Sequence, residues 1–252
     1  MKIDVFSQKL HRYWIRQRLK PISVFVFHHV SEVRNPLICA EEDWTSMEVF
    51  KNNIVKLQQE FEFISLTNAY RHLSLDKWRK KRYVVLTADD AYRSILDIVP
   101  WLAARRIPLV IFANSRFLDQ DSMTPIHEEY IKTVAPNADL GQVLKATYMS
   151  KEELWSLNDE ETIEVGLHGH EHLDLSQLDQ DNMVREVETC RSILQSHPRY
   201  IPFYAYPWGA CNANTDNYLL QHGLIPVKVS GSKNYNNKEY VDRKCVDGME
   251  LK

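Results

Sequence analysis

Short apolar segments of strand length recur along the chain and alternate with patterns typical of helices. Most of these segments are apolar throughout and rich in Val, Ile, Phe and Tyr, which predicts strands buried on both faces, as in a parallel sheet. The predicted strands cover residues 22–28, 83–87, 108–113, 162–166, 202–206 and 224–229. Strands that alternate with helices predict βαβ units, which build either an open wound sheet or a barrel.

The sequence also marks where helices begin between these strands. Thr45 with Glu48 forms a capping box ahead of an apolar run at helical spacing, and Ser150 with Glu153 forms a second one. A further helical pattern extends from about residue 176 to residue 195. We therefore expect helices that cover the faces of the sheet.

No internal repeat or low-complexity linker divides the sequence, so we expect one α/β domain over residues 1–252. Residues 1–21 predict a basic N-terminal helix, which would cover the fold. An alternative is that residues 9–20, which are basic and aromatic, lie on an anionic membrane surface. The weakly patterned stretch over about 119–149 predicts an insertion loop at the rim of the functional site.

Composition narrows the function classes. The 252 residues include 31 Lys and Arg against 34 Asp and Glu, a net charge of −3 that disfavours nucleic acid as a partner. The four cysteines are widely spaced without a C-x-x-C pair, which disfavours a zinc ribbon or a disulfide framework. The N-terminal residues show neither a secretory signal pattern nor an apolar run long enough to span a membrane, so we expect a cytoplasmic protein.

Three of the ten histidines stand within five consecutive residues directly after a predicted strand: His168, His170 and His172. On a helical turn His168 and His172 would share a face, whereas on a strand all three would. Two neutral imidazoles with a carboxylate from another strand end would form the three-ligand pattern of a catalytic zinc site. A zincin motif is disfavoured, because Asp174 stands where its second histidine belongs.

Two carboxylates, Asp89 and Asp90, directly follow the predicted strand over 83–87. The loops after strand carboxyl ends build the active sites of parallel α/β folds, so these side chains are placed to hold a metal and to move a proton. The alternative is that Asp90 or its neighbour caps the following helix, which we expect over 92–105.

Two further segments end predicted strands. Pro207 and Gly209 fix a sharp turn that could expose the Trp208 amide as an oxyanion donor and its ring as a platform for a sugar. The alternative is an aromatic turn packed on the barrel rim. At the end of the first strand, His28 and His29 point to opposite sides, so one of the two is expected to face the site.

In this order the motifs resemble the polysaccharide deacetylase family, which has the NodB-homology fold and is also called carbohydrate esterase family 4. The resemblance extends from residue 23 to the C-terminus, and it rests on the segments LTADD at 86–90, GLHGHEH at 166–172 and FYAYPWG at 203–209. Phe27-His28 is similar to the dipeptide of the poly-N-acetylglucosamine deacetylase branch. The resemblance implies a distorted (β/α) barrel of about seven strands.

The resemblance also implies roles for individual residues. The family's metal triad of one aspartate and two histidines falls on Asp90, His168 and His172. The general base falls on Asp89, and the general acid of the related branch falls on His28. Arg243 is the candidate for the arginine that steadies the base.

The sequence departs from the family pattern next to these residues. Ala88 replaces an aromatic residue, Ala91 replaces a glycine, and Gly169 stands where Thr or Ser usually follows the first histidine. We expect these changes to alter substrate fit and rate more than metal binding. The side chains expected to contact the substrate or its oxyanion are Tyr206, Trp208 and His170.

The resemblance implies a metal-dependent hydrolase that removes acetyl groups from N-acetylated sugars, with an acetylated oligosaccharide or polysaccharide as its partner. One divalent ion is expected; Zn²⁺ suits this ligand set, and Co²⁺, Ni²⁺ and Mn²⁺ are alternatives. Two other functions stay open at this point. One is a non-catalytic carbohydrate-binding protein on the same fold, and the other is a deacetylase of O-acetyl esters.

Overall fold

The computed structural model describes residues 22–33, 35, 44–73, 82–119, 139, 145, 147–229 and 240–250. The N-terminal helix expected over 1–21, with its membrane-contact stretch 9–20, lies outside these residues, as does most of the insertion expected over 119–149. That residues 1–252 form one domain stays a prediction. Within the described ranges, no helix combines the length and apolar character needed to cross a membrane.

Parallel strands form the centre of the molecule. In chain order they are β1 (Ile22–Phe27), β2 (His29–Ser31), β3 (Trp44–Ser46), β4 (Glu62–Phe63), β5 (Tyr83–Ala88), β6 (Leu109–Ala113), β7 (Ile163–Leu167), β8 (Tyr200–Ala205), β9 (Ile225–Lys228), β10 (Val241–Asp242) and β11 (Lys244–Cys245). The main sheet has the order β10, β9, β8, β7, β6, β5, β1, β11, with β4 also paired to β5, while β2 and β3 pair separately. All six strands predicted from the sequence are present, each within two residues of its expected bounds.

A single residue joins the two edges of this sheet. Strands β10 and β11 are separated only by Arg243, yet β10 pairs with β9 while β11 pairs with β1. The Arg243 amide donates to the Lys228 carbonyl at 2.8 Å, and the Val246 amide donates to the Val26 carbonyl at 2.9 Å. The chain therefore changes partner at Arg243 and closes the sheet into a distorted (β/α) barrel, which confirms the expected fold.

Helices cover the outside of the barrel. They are α1 (Met47–Gln58), α2 (Leu66–Leu73), α3 (Ile95–Ala103), α4 (Lys151–Trp155), α5 (Gln180–Leu194) and α6 (Ala213–Gln221), with 3₁₀ turns at Ser156–Asp159, Leu175–Gln177 and Pro207–Gly209. The capping box predicted at Ser150 and Glu153 is confirmed at the start of α4. These helices bury apolar stripes against the strands, as their sequence periodicity predicts.

Two helix starts differ from expectation. Thr45 is not the cap of α1, because it is buried in β3 and its hydroxyl accepts a hydrogen bond from the Gly248 amide at 2.9 Å. Ser46 caps the helix instead by accepting from the Val49 amide. Helix α5 begins at Gln180, behind an Asp179 cap, rather than near residue 176, because the 3₁₀ turn precedes it.

Alternate side chains of the barrel strands enter two separate apolar clusters, as expected for strands buried on both faces. The outer cluster contains Leu86 and Ile111 together with apolar residues of every described helix except α2. The inner one contains Val85, Phe112 and Phe203. Side chains that continue the inner series past the strand ends therefore point toward the mouth of the barrel.

Gly166 lies in β7 opposite the buried Phe112 ring. A Cβ atom at Gly166 would lie 2.4 Å from Phe112 Cε1 and 3.2 Å from the Phe203 carbonyl oxygen. We expect Gly166→Ala to lower the free energy of unfolding by about 1–3 kcal/mol, because a packed core cannot absorb the added methyl group. Denaturant unfolding measures this loss.

A double-mutant cycle tests the cause of that loss. In a Phe112→Leu background, the smaller side chain leaves room for the new methyl group, so Gly166→Ala should cost less than in the wild type. An equal cost in both backgrounds would contradict the proposed clash.

Candidate active site

The carboxyl ends of the barrel strands bring most of the candidate residues to one mouth of the barrel. Asp89 and Asp90 follow β5, His168 and His172 follow β7, and Trp208 follows β8. His28 follows β1, and Arg243 lies where the chain crosses from β10 to β11. Asp89 and Arg243, which are 154 residues apart in sequence, therefore meet at this mouth.

One carboxylate oxygen faces two imidazoles. Asp90 Oδ1 lies 3.5 Å from His168 Nε2 and 3.4 Å from His172 Nε2. One potential ligand atom from each of the three residues lies within 4.8 Å of the other two. Asp90 Oδ1 is buried and has no hydrogen-bond partner within the described part of the chain. A buried carboxylate oxygen left in this way needs a cation or a proton to compensate its charge.

The backbone sets the proton position on His168. Its Nδ1 donates to the Ala205 carbonyl at 2.9 Å, so the Nε2 lone pair faces Asp90. Burial lowers the pKa of His168, which disfavours the imidazolium, and burial raises the pKa of Asp90. A divalent cation would satisfy the two imidazole nitrogens and the carboxylate together, and this ligand set is that of zinc sites with an open position. Asp90, His168 and His172 therefore fit a metal ion.

His170 does not point into this group of ligand atoms. Its Nδ1 lies 2.8 Å from Ser115 Oγ, and its carbonyl accepts a hydrogen bond from the Arg116 amide at 3.0 Å. Burial lowers the pKa of His170. The structure thus ties His170 to the loop after β6 and separates it from Asp90.

A carboxylate that sequence reasoning missed holds the loop between His168 and His172. Glu186 Oε1 accepts from the Glu171 amide at 2.7 Å and from the Leu173 amide at 3.4 Å. Gly169 has φ +82°, and a Cβ there would lie 2.8 Å from the same oxygen. Glu186 is buried on α5, and an acidic residue on the apolar face of that predicted helix was the available signal.

Asp89 forms a buried two-bond ion pair with Arg243. Arg243 Nη1 donates to Asp89 Oδ1 at 2.6 Å, and Nη2 donates to Oδ2 at 2.7 Å. Nη1 also donates to Thr87 Oγ1 at 3.0 Å. Burial raises the pKa of Asp89, but the Arg243 charge, followed by His168, outweighs burial and holds it below its usual range. Asp89 is therefore ionised throughout the neutral range.

His28 is paired with Asp247, a second residue that sequence reasoning missed. Its Nδ1 lies 2.6 Å from Asp247 Oδ2, and its amide donates to Asp247 Oδ1 at 2.9 Å. Burial lowers the pKa of His28, but the hydrogen bond and charge of Asp247 outweigh it and raise the pKa from 6.5 to about 10. His28 is therefore protonated at neutral pH. No local motif near Asp247 signalled this contact across 219 residues.

The turn after β5 reverses the chain in the left-handed region. Asp90 has φ 67° and Ala91 has φ 48°. The Ala91 carbonyl accepts from the Met149 amide at 2.9 Å, which anchors the turn. Neither aspartate caps α3, since its N-cap residue is Ser94. The alternative that one of these carboxylates caps the helix is therefore wrong. Both carboxylates face the mouth of the barrel.

The aromatic turn after β8 places its two candidates differently. Trp208 is 72% exposed, its ring centroid lies 4.7 Å from that of His172, and its Nε1 donates to the His172 carbonyl at 3.1 Å. Tyr206 is buried, and its hydroxyl donates to Asp216 Oδ1 at 2.8 Å. The structure brings Trp208 beside His172 and directs the Tyr206 hydroxyl to α6.

Comparison with known proteins gives a family and a fold. A family model described as polysaccharide deacetylase matches residues 76–227, which is more than half of the chain. No curated protein matches the sequence. The Streptococcus pyogenes deacetylase PplD in complex with acetate is similar in structure, with TM-score 0.70, 18% identity, and 89% of this chain and 92% of that chain covered.

Two further solved structures are similar. IcaB from Ammonifex degensii has TM-score 0.67 and 18% identity, with 90% of this chain and 92% of that chain covered. The de-N-acetylase from Aggregatibacter actinomycetemcomitans has TM-score 0.69 and 14% identity, with 90% and 95% covered. At these identities the similarity shows that the fold is shared.

We expect Glu186→Ala to lower the affinity for Zn²⁺ by about 10–100-fold, because the loop that carries His172 loses its anchor. Competition with a chromogenic chelator measures the affinity. Glu186→Gln should recover part of the loss, since an amide oxygen can still accept from the Glu171 amide. Glu188→Ala, on the same helix, is the matched control; equal affinities for Glu186→Ala and this control would contradict the role of Glu186.

Proposed function

Because the chain belongs to the polysaccharide deacetylase family, we propose that it removes acetyl groups from N-acetylated sugars of a polysaccharide or glycan precursor by metal-dependent hydrolysis of the amide bond. One observation carries this proposal. A fitting set of metal ligands, an ionised carboxylate and a protonated imidazole converge at one mouth of the barrel. These are the groups that hydrolysis of an amide needs.

Asp90, His168 and His172 would hold one divalent ion, for which Zn²⁺ suits the two imidazoles and one carboxylate. When bound, such an ion polarises the acetyl carbonyl and makes a water molecule more acidic. Asp90 Oδ1, which is buried and has no hydrogen-bond partner among the residues that the structure describes, supports this assignment.

Asp89 is proposed to accept the proton of the attacking water. Its ion pair with Arg243 keeps it ionised and fixes both carboxylate oxygens in direction. Asp89 Oδ2 also lies 3.7 Å from His168 Nε2, so the base lies beside the metal ligands. Arg243 is thus a positioning residue for the base.

His28 is proposed to donate a proton to the departing sugar amine. Asp247 keeps its imidazole charged at neutral pH and, through the hydrogen bond to Nδ1, fixes the ring. The remaining nitrogen, Nε2, then carries the proton to be transferred. Protonation makes the amine a better leaving group than hydroxide, so the carbon–nitrogen bond breaks and the free amine and acetate form.

Trp208 is proposed to serve the substrate in two ways. Its backbone N–H is a candidate donor to the oxyanion that develops on the acetyl group. Its exposed ring beside His172 offers an apolar face to a sugar. Trp208 adopts φ 60°, a strained backbone conformation of the kind that clusters at functional sites, and this supports the proposed role.

Acetate release from N-acetylglucosamine oligomers tests the proposal with the Zn²⁺-loaded protein. Asp89→Asn should bind Zn²⁺ as the wild type does yet release acetate at least about 100-fold more slowly, because the base is lost. Asp97→Asn, an exposed change on α3, is the matched control and should keep full activity. An unchanged rate for Asp89→Asn would remove Asp89 as the base.

Two further measurements separate this function from the alternatives. The double variant His168→Ala, His172→Ala should lose both the bound metal and the activity. Release of acetate from O-acetylated sugars alone would favour an esterase, and sugar binding without any acetate release would favour a non-catalytic protein.

The pair of His28 and Asp247 predicts a pH dependence. Activity requires protonated His28, so kcat/KM should fall as pH rises through about 10. Asp247→Asn removes the charge that raises the pKa of His28 and leaves burial, which lowers it. The alkaline limb of the profile should therefore move to lower pH, whereas Asp97→Asn should leave it in place. A profile that Asp247→Asn does not shift would show that His28 is not the acid.

A further inference from the structure

A thiol, an imidazole and a carboxylate meet at the Nδ1 atom of His28, the proposed acid. Asp247 Oδ2 lies 3.2 Å from Cys245 Sγ and 2.6 Å from His28 Nδ1. Ligand atoms of these three residues all lie within 4.8 Å of one another. The group shares no residue with Asp90, His168 and His172.

Strand register holds the three side chains together. Val26 of β1 pairs with Cys245 of β11 in a parallel ladder. His28 and Asp247 each lie two residues further along, and residues two apart share a face of a strand. The bond from the His28 amide to Asp247 Oδ1 continues this alignment beyond the strands. Pairing of the two strands therefore places these three side chains next to one another.

The group is also accessible. Cys245 is exposed, and the His28 side chain is 21% exposed, while the Asp247 side chain is fully buried. An ion arriving from solvent would meet the thiol first and the buried carboxylate last. Thiolate, imidazole and carboxylate are the three ligand types that Zn²⁺ binds in proteins, and three of them leave a position for water.

We propose that His28 Nδ1, Cys245 Sγ and the Asp247 carboxylate form a second divalent-metal site, selective for thiophilic ions such as Zn²⁺, and that occupation of this site inhibits the enzyme. The inhibitory part rests on the proposed function, and the binding part does not. Binding replaces the Nδ1 proton of His28 and the thiol proton of Cys245, and both protons pass to solvent.

The inhibition follows from the proton count on His28. An imidazole with a metal ion on Nδ1 retains only the Nε2 proton and is no longer an imidazolium. Giving up that proton would leave an imidazolate, which is a far less favourable product than a neutral imidazole. Zn²⁺ at the first site would thus activate, and Zn²⁺ in excess would inhibit.

Cobalt binding tests the site without any assay of activity. With Co²⁺ in excess, the wild type should show a thiolate-to-cobalt charge-transfer band in the near ultraviolet. Cys245→Ser should lack this band, since serine keeps the hydrogen bond to Asp247 but is a poor ligand for soft metals. Cys211→Ser is the matched control and should keep it. The double variant His168→Ala, His172→Ala should also keep it, because the second site is separate.

Inhibition supplies the second measurement. Excess Zn²⁺ should slow acetate release by the wild type. For the same degree of inhibition, Cys245→Ser should need a Zn²⁺ concentration at least about tenfold higher. The inhibition is measured relative to the rate of each protein without excess Zn²⁺.

The two measurements distinguish failure of the second metal site from failure of the proposed function. Absence of the band in the wild type, or its survival in Cys245→Ser, would overturn the second site. The band with equal zinc inhibition in both proteins would overturn its link to His28. A chain that shows the band but deacetylates no sugar would refute the proposed function and leave the metal site standing.

Discussion

The buried ion pair between Asp89 and Arg243 connects closure of the barrel to the chemistry at its mouth. Arg243 occupies the one position where the chain passes from β10, paired with β9, to β11, paired with β1. Two hydrogen bonds to Asp89 and one to Thr87 direct its guanidinium to β5, the strand beside β1. Burying two charges is costly, and the two parallel hydrogen bonds between the side chains offset part of that cost. Loss of either partner would leave an uncompensated charge in the core.

The same short segment controls both proton-transfer groups. Arg243 holds Asp89, and Asp247, four residues later, holds His28. The two partners act in opposite directions, because a cation beside Asp89 keeps it ionised and an anion beside His28 keeps it protonated. Base and acid are thus separated in pKa by their neighbours, as in other hydrolytic sites that use two titratable groups. Since the segment also closes the barrel, a shift in its register would disturb both groups together.

The sequence was sufficient for the parts of the structure that depend on local pattern. Continuous apolar runs identified the barrel strands, and polar clusters after them identified Asp89, Asp90, His168 and His172. Asp247 escaped detection because its role depends on the pairing of β1 with β11, a contact that no local pattern encodes. Thr45 failed as a helix cap for a similar reason: it is recruited by β3 and by the distant Gly248. Local signals therefore identify polar residues that follow strand ends, and they miss distant residues such as Asp247 that contact them.

The departures from the family pattern also fall on supporting positions. Gly169, in place of the usual Thr or Ser, stands where any Cβ would press against the Glu186 carboxylate, so the glycine and the glutamate form one arrangement. Ala91, in place of glycine, adopts a left-handed conformation that costs about 1–2 kcal/mol for a residue with a Cβ. Its buried methyl group and the hydrogen bond to Met149 offset that cost. Because the strain lies next to Asp90, the same contacts that stabilise the turn also orient the carboxylate. Glu186, which holds the loop after β7, and Met149, which anchors the turn after β5, thus support the segments that carry the residues proposed to bind metal.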